Sequence, residues 1–368
     1  MKKVIFAAMV AGAFVMASCG GNKNATITKG SLSKFDTLSY AVGVNLASMA
    51  TTQLADLPLD YDELVKSLIS SANGSNKVSR EDATALLQDY FMNKRQARSA
   101  DVNAARDAAD SIALANGADA AVVREARGKL TADASMFEDA AERKTISAAL
   151  GNDLGNSIAM AKIPAQTVWI KQAFTDVLAG EAKLTDAVAN TEIQKFFTVT
   201  LPAANQKASE EWLASIAKKS GVEVTESGIY YKVEKAGSEV MATDDRDVVK
   251  VKYTGKNREG KVFDSSRYAD MAEDRLEQLK SRSEDGSLPE DGEVIEFPLN
   301  RVIKGWTEGM KLVGVGGRIS LWIPAELAYG ARGAGSDIGA NEALYFDVEL
   351  VEVTPYVDPA AAEEETEE

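Results

Sequence analysis

The sequence predicts an α+β chain in which two tandem helical modules precede an antiparallel sheet packed on one short helix. Three observations carry that prediction. Apolar and polar residues alternate over residues 249–253, 319–323 and 344–350, the period of half-buried antiparallel strands. Between the first two runs lies Val302-Ile303-Lys304-Gly305-Trp306-Thr307-Glu308-Gly309, where Val302 and Ile303 stand four and three residues before Trp306 and share a helical face with it. Far upstream, Leu38-Ser39-Tyr40-Ala41-Val42-Gly43-Val44-Asn45-Leu46 returns as Ile146-Ser147-Ala148-Ala149-Leu150-Gly151-Asn152-Asp153-Leu154.

At 368 residues with 45% hydrophobic side chains, the chain exceeds one compact core and should fold as two or three domains. A formal net charge of -15 argues against nucleic acid or anionic lipid headgroups as partners, because both need a basic face. There is no histidine, which excludes Ser-His and Cys-His triads and histidine-ligated metals. Neither a metal nor any other cofactor is expected.

Residues 1–19 have the layout of a secretory signal: Lys2 and Lys3, an apolar run over residues 4–16, then Ala17-Ser18-Cys19. The run is too short to span a bilayer. Met16-Ala17-Ser18-Cys19 resembles the lipobox of bacterial lipoproteins, in which the cysteine is acylated and becomes the new N-terminus. A lipid on Cys19 would hold the protein at a membrane, since each buried acyl methylene contributes about 0.8 kcal/mol. Cys19 is the single cysteine, so the folded part has no internal disulfide. Residues 20–33, rich in Gly, Asn, Lys, Ser and Thr, read as a flexible tether, and residues 358–368, nearly all acid and alanine, as a solvated disordered tail.

The repeat extends for most of a domain at an offset of about 106 to 108 residues, too long for a solenoid unit. It reads as a duplicated module, residues 34–143 and 144–220. Leu57-Pro58 matches Ile163-Pro164, and Leu64, Leu68 and Gly74 match Ile170, Phe174 and Gly180. Lys77-Val78-Ser79 and Tyr90-Phe91 match Lys183-Leu184-Thr185 and Phe196-Phe197. Tyr40, Val44, Leu46 and Ala47 fall on one helical stripe, Asp60 with Glu63 marks a helix start, Gly74 a stop, and Ser79 with Asp82 the next start. Residues 96–143, alanine-rich and charged, read as solvated helix divided by Gly117 and Gly128. Pro202 removes a backbone donor and should kink or break the last helix of the second module near residues 198–201.

From residue 221 the period changes. Gly221 is a natural helix stop before a strand. Val249, Val251 and Tyr253 form one strand face against Lys250 and Lys252; Ile319, Leu321 and Ile323 repeat the pattern before Pro324; Leu344, Phe346, Val348 and Leu350 repeat it with Asp347 and Glu349 opposite. The helix around Trp306 is too short to be stable alone and has to be packed on this sheet, leaving an aromatic-lined hollow. Gly305 removes bulk beside the indole, and Gly309 suits the left-handed conformation that ends a helix. Residues 267–296 lengthen the loop before Phe297. Within them, residues 272–282 can be helical with Leu276 and Leu279 on one side, before a turn-rich return at Asp285-Gly286 and Pro289.

YTGKNREGKVFDSS from Tyr253, VIKGWTEGM from Val302, IPAELAYGARG from Ile323 and ALYFDVELVEV from Ala343 resemble, in order, the signature blocks of FKBP-type peptidyl-prolyl cis-trans isomerases. Each helical copy resembles the N-terminal dimerisation domain ahead of the catalytic domain in macrophage infectivity potentiator-type members, where it occurs once and two chains interlock through it. The resemblance implies a half-barrel sheet wrapped on the short helix over residues 221–357, with residues 267–296 as an insertion. It implies that Tyr253, Phe263, Val302, Ile303, Trp306, Ile338 and Phe346 form a proline-ring pocket floored by Trp306. It further implies that the Tyr329 hydroxyl and the Ile303 amide donate to substrate carbonyls, and that the Asp264 carboxylate orients Tyr253 and faces the twisting amide. The aromatics alone could be core, whereas a carboxylate beside Phe263 has no use in a core unless paired. Two departures accompany the match. Gly339-Ala340-Asn341-Glu342 lacks the proline pair common in this loop, so a looser wall near Ile338 is expected, and Ile295 replaces an aromatic that usually lines the pocket.

The expected function is X-Pro isomerisation in exported, proline-containing polypeptides, by a lipid-anchored protein of a Gram-negative-type cell envelope, at the outer membrane facing the periplasm. Pairing of the two helical copies within one chain would make a monomer; a homodimer is the alternative. A different class of function, a membrane-tethered chaperone or assembly module with little turnover, would not need Tyr253, Asp264, Trp306 and Tyr329 together.

Overall fold

The computed structural model describes residues 31–357 apart from residues 33, 128–132, 272, 283–287, 289–290 and 336. Cys19 with the signal segment, most of the tether, Gly128, Asp285-Gly286, Pro289 and the acidic tail lie outside the described residues. No described helix is long and apolar enough to cross a membrane. The chain divides between Phe197 and Thr198 into two compact units.

The first unit is helical: α1 (Thr37–Gln53), α2 (Tyr61–Ala72), α3 (Arg80–Asp89), α4 (Arg95–Ala115), α5 (Ala120–Arg127), α6 (Ala140–Met160), α7 (Thr167–Leu178) and α8 (Asp186–Lys195). Five of these starts are capped alike, with Asp36, Asp60, Ser79, Asp139 and Thr185 each accepting through the side chain from the amide three residues on. Gly74 and Gly180 follow α2 and α7 with φ of +66° and +73°, conformations that an L side chain resists. Gly117, at φ +90°, separates α4 from α5.

The two copies do not pack on themselves. Helix α1 packs on α7 and α8, whereas α6 packs on α2 and α3, so each half of the unit joins a helix of one copy to a pair from the other. Glycines stand at both crossings: a Cβ on Gly43 would lie 2.8 Å from the Ile170 carbonyl oxygen, and one on Gly151 2.0 Å from that of Leu64. Ser39 Oγ accepts from the Gln166 amide at 2.8 Å and Ser147 Oγ from the Asp60 amide at 2.9 Å, the same bond in each half. An interlock of the kind expected between two chains is thus formed inside one. Because α1 is enclosed in this way, Ala41 and Val42 are buried together with Tyr40, Val44, Leu46 and Ala47, and no single stripe describes it.

Wide π turns follow α3 and α8, at Tyr90–Lys94 and Phe196–Thr200. The first is followed by Gln96 where the second is followed by Pro202, so the turn belongs to the repeat rather than to the proline. Pro202 does not break a helix. It sits in the first turn of α9 (Leu201–Ile216), where an amide donor is dispensable.

In the second unit, β1 (Glu223–Val224), β2 (Tyr230–Lys235), β3 (Val248–Lys256), β4 (Val262–Ser265), β5 (Ile295–Pro298), β6 (Arg318–Ile323) and β7 (Leu344–Thr354) form an antiparallel sheet in the order β1-β2-β6-β7-β3-β4, with β5 pairing β3. Val249, Val251, Ile319, Leu321, Ile323, Leu344, Val348 and Leu350 are fully buried on one face, as their alternation predicts. A bulge between Lys250 and Val251 shifts the β3–β7 register, leaving Val351 exposed and turning Val353 inward. The other face meets α9, which the sequence reading assigned to the second helical module: Leu213 and Ile216 bury against Trp322 and Ala343. Two further helices are α10 (Glu273–Arg282) and α11 (Lys304–Gly309).

Candidate active site

Helix α11 lies close on β6 because two of its residues lack side chains. A Cβ on Gly305 would meet Ile323 Cγ2 at 2.4 Å, and one on Gly309 would meet Leu321 Cδ1 at 2.6 Å. Gly309 is right-handed, at φ -61°, so close packing explains it and the expected left-handed stop does not. The approach seats Trp306, 5% exposed, among three rings: Tyr253 and Phe346 meet it edge-on at centroid distances of 5.1 and 5.3 Å, and Phe297 is tilted against it at 5.3 Å. Phe263 packs edge-on against Phe346 at 5.6 Å. Gly255 makes room for that pair, since its Cβ would stand 2.7 Å from Phe263 and 2.9 Å from Phe346.

Polar groups gather over this floor. Across the β3–β4 pair, Tyr253 Oη donates to Asp264 Oδ2 at 2.5 Å. Burial pushes the Tyr253 hydroxyl far above its ordinary value, and the bond to Asp264 and its charge push the same way. Tyr329, 39% exposed at the rim, is raised by burial and then by the Asp264 charge. Arg275, from α10, brings Nη2 to 4.0 Å from Asp264 Oδ1, whose side chain is 45% exposed. Val302 and Ile303 are half-buried beside Trp306. The Ile303 amide has no acceptor among the described residues, because Ile303 caps α11 through its carbonyl only.

Ile338 is buried, and its loop is not loose. The Gly339 amide donates to Glu342 Oε2 at 2.7 Å, Asn205 Nδ2 donates to the Ala340 carbonyl at 3.0 Å, and Ser209 Oγ lies between the Asn341 carbonyl at 3.1 Å and the Ala343 amide at 2.9 Å. Asn205 and Ser209 belong to α9, so a helix holds the loop where prolines were missed.

Tyr253, Phe263, Val302, Ile303, Trp306, Ile338 and Phe346 therefore share one cluster, with Asp264 bonded to it and Tyr329 within the influence of the Asp264 charge. Sequence reasoning missed Phe297 and Arg275. Phe297 could have been found from its alternation with Ile295 on a strand paired to Val249 and Val251. Arg275 gave no such signal. Among the described residues no group of His, Cys, Asp or Glu could hold a metal ion.

The family description "Domain amino terminal to FKBP-type peptidyl-prolyl isomerase" matches residues 35–129 and again 143–233, and "FKBP-type peptidyl-prolyl cis-trans isomerase" matches residues 240–351. The FKBP-type peptidyl-prolyl cis-trans isomerase FkpA of Aeromonas hydrophila is 39% identical over 224 residues, 56% of this chain and 74% of that protein. A probable FKBP-type peptidyl-prolyl cis-trans isomerase of Haemophilus influenzae is 34% identical over 247 residues, covering 62% and 90%. The outer membrane protein MIP of Legionella longbeachae is 31% identical over 189 residues, covering 51% and 69%. On a duplicated amino-terminal domain, a matched catalytic domain and relatives covered over most of their length, this chain belongs to the FKBP-type peptidyl-prolyl cis-trans isomerases.

Proposed function

We propose that this isomerase acts on exported polypeptides in the bacterial cell envelope, using the aromatic cradle on Trp306 and the Tyr253–Asp264 pair as its site. The observation that carries the reading is the 2.5 Å bond by which Tyr253, packed edge-on against Trp306, ties a half-exposed carboxylate to the rim of the apolar floor. Rotation about an X-Pro bond is slow because resonance keeps the amide planar, with a barrier of about 18–20 kcal/mol. Resonance also places partial charges on the carbonyl oxygen and the nitrogen, which water solvates well. The twisted transition state has lost much of that separation, so a dry cradle favours it relative to the planar form. No proton has to move, and the lack of histidine is no obstacle.

In this scheme the prolyl ring rests on Trp306 between Tyr253, Phe297 and Phe346, with Phe263, Val302 and Ile338 as walls. The Ile303 amide and the Tyr329 hydroxyl hold flanking carbonyls, and Asp264 faces the twisting amide. Protease-coupled isomerisation of X-Pro tetrapeptides by the soluble chain from residue 20 tests it. Turnover well above the spontaneous rate is expected, and the spontaneous rate would overturn the proposal.

Residues 1–19 support attachment through a lipid on Cys19, and the name of the Legionella relative places that protein in an outer membrane. Labelled palmitate should enter the expressed chain and not its Cys19→Ala variant; equal labelling would overturn the anchor. The interlock inside the first unit supports a monomer. A dimer persisting in light scattering at micromolar dilution would overturn that.

A further inference from the structure

The two halves of the helical unit share a frame but are filled differently. In the half where α1 packs on α7 and α8, Tyr40 is fully buried; its Oη donates to Asp176 Oδ2 at 2.7 Å and accepts from the Lys183 amide at 3.0 Å. Phe35 closes over it, with its ring 5.2 Å from that of Tyr40 and 5.0 Å from that of Trp169. The repeat replaces each of these groups in the other half: Tyr40 by Ala148, Phe35 by Arg143, Trp169 by Glu63 and Asp176 by Ser70. Three aromatic rings are therefore missing from a half with the same helix crossing, where Asn76, matching Ala182, donates Nδ2 to Ser67 Oγ at 3.1 Å and Ser71 Oγ at 2.7 Å. In their place, between α2, α3 and α6, lies a cavity of about 350 Å³ lined by Glu63, Ser67, Ser70, Asn76, Thr145 and Ala148.

We propose that this cavity binds a para-hydroxyphenyl group, the side chain of tyrosine, carried on a polypeptide. The complement is read from the other half, where the same helix crossing, with its matched glycines and serines, encloses Tyr40. Polar positions for a hydroxyl persist. The Lys77 amide, which matches the Lys183 amide that serves Tyr40, has no acceptor among the described residues. Ser70 Oγ stands where the Asp176 carboxylate stood, sharing only a 3.2 Å contact with Ser75 Oγ. For the ring itself, Val78 and Leu86 line the cavity as apolar wall, and they are 47% and 42% exposed, apolar surface with no cover of its own. Small-ligand sites span roughly 300–1,000 Å³, so this volume suits one side chain with its flanking backbone rather than a large cofactor.

The test uses the mature soluble chain, residues 20–368, with p-cresol, N-acetyltyrosinamide and proline-free heptapeptides carrying a central Tyr, Phe or Leu. Amide NMR shifts are expected at residues 63–78 and 145–152 with both small probes. The Tyr peptide should bind at least about fivefold tighter than the Phe peptide and tighter than p-cresol, and the Leu peptide should not bind. Ala148→Tyr supplies the ring from within and should abolish every shift while X-Pro tetrapeptide turnover stays unchanged. If that variant does not fold, Ser67→Leu, which narrows the floor, makes the same test. Absence of shifts at millimolar probe, binding unchanged in the filled variant, or p-cresol binding tighter than the Tyr peptide would each overturn the proposal.

Discussion

Asp264→Asn separates the charge of the site from its shape. Tyr253 Oη lies 2.5 Å from Asp264 Oδ2, and asparagine still offers an oxygen there. The half-buried phenol therefore keeps an acceptor and avoids part of the penalty of about 1–3 kcal/mol that a fully buried unpaired donor would carry. What disappears is the unit charge that the proposed mechanism sets toward the amide. Two unit charges about 4 Å apart interact by about 4 kcal/mol at an effective dielectric near 20. The amide carries only a fraction of a charge, the Asp264 side chain is 45% exposed, and Arg275 at 4.0 Å offsets part of its field. About 1–2 kcal/mol is left to act on the transition state, and at 1.36 kcal/mol per decade kcat/KM should fall about 5- to 30-fold. Arg275→Ala, with the opposite sign, should leave turnover equal or higher. The assay is protease-coupled isomerisation of an X-Pro tetrapeptide, run beside thermal denaturation of each variant. Unchanged kcat/KM in Asp264→Asn, with an unchanged Tm, would refute the polar role of this carboxylate.

Trp306→Ala should destabilise the second unit by about 3–5 kcal/mol and abolish turnover together, since it empties a site packed by three rings; urea unfolding followed by an assay at low denaturant separates the two effects. Ser209→Ala should release the loop holding Ile338 by removing two bonds at once, raising KM several-fold with a smaller change in kcat, and equal changes in both would argue against a positioning role. Alkaline pH should unfold the protein through its buried tyrosines. Burial raises Tyr40 from 10.0 to about 12, with Tyr90 and Tyr253 raised further, so their protonated forms are favoured in the fold. That stability is complete below the ordinary tyrosine value and is lost as pH rises through the folded values. Circular dichroism should accordingly show a transition above pH 10, and kcat/KM should be flat from about pH 6 to 9 in a chain without histidine.

The strand faces were legible because period two is a local property: Val249, Val251, Ile319, Leu321 and Leu344 needed only their own neighbours. The Trp306 floor was legible for the same reason at helical spacing. Asp264 and Tyr329 came from matched blocks, since nothing local assigns a partner to a carboxylate or a rim phenol. The role of α9 was not legible. Asn205 and Ser209 resemble solvated helix positions, and only the fold brings them to residues 340–343. Pairing of the two copies within one chain was expected from the resemblance, but which helices each copy supplies was not, because a helix face that seeks a partner does not name it. Gly309 was misread because a helix stop and a close approach call for the same residue.

Joining the two interlocking copies in one polypeptide changes what selection can act on. An interlock between identical chains forms by second-order association, is weakened by dilution, and repeats every substitution on both sides of its axis. Here the partner is always about a hundred residues away along the chain, so closure is first order and insensitive to how much protein is present. Each substitution is also made once. That freedom is written into the pair Tyr40 and Ala148: one half can remain a sealed structural joint while its twin is hollowed out, a division of labour closed to a symmetric dimer.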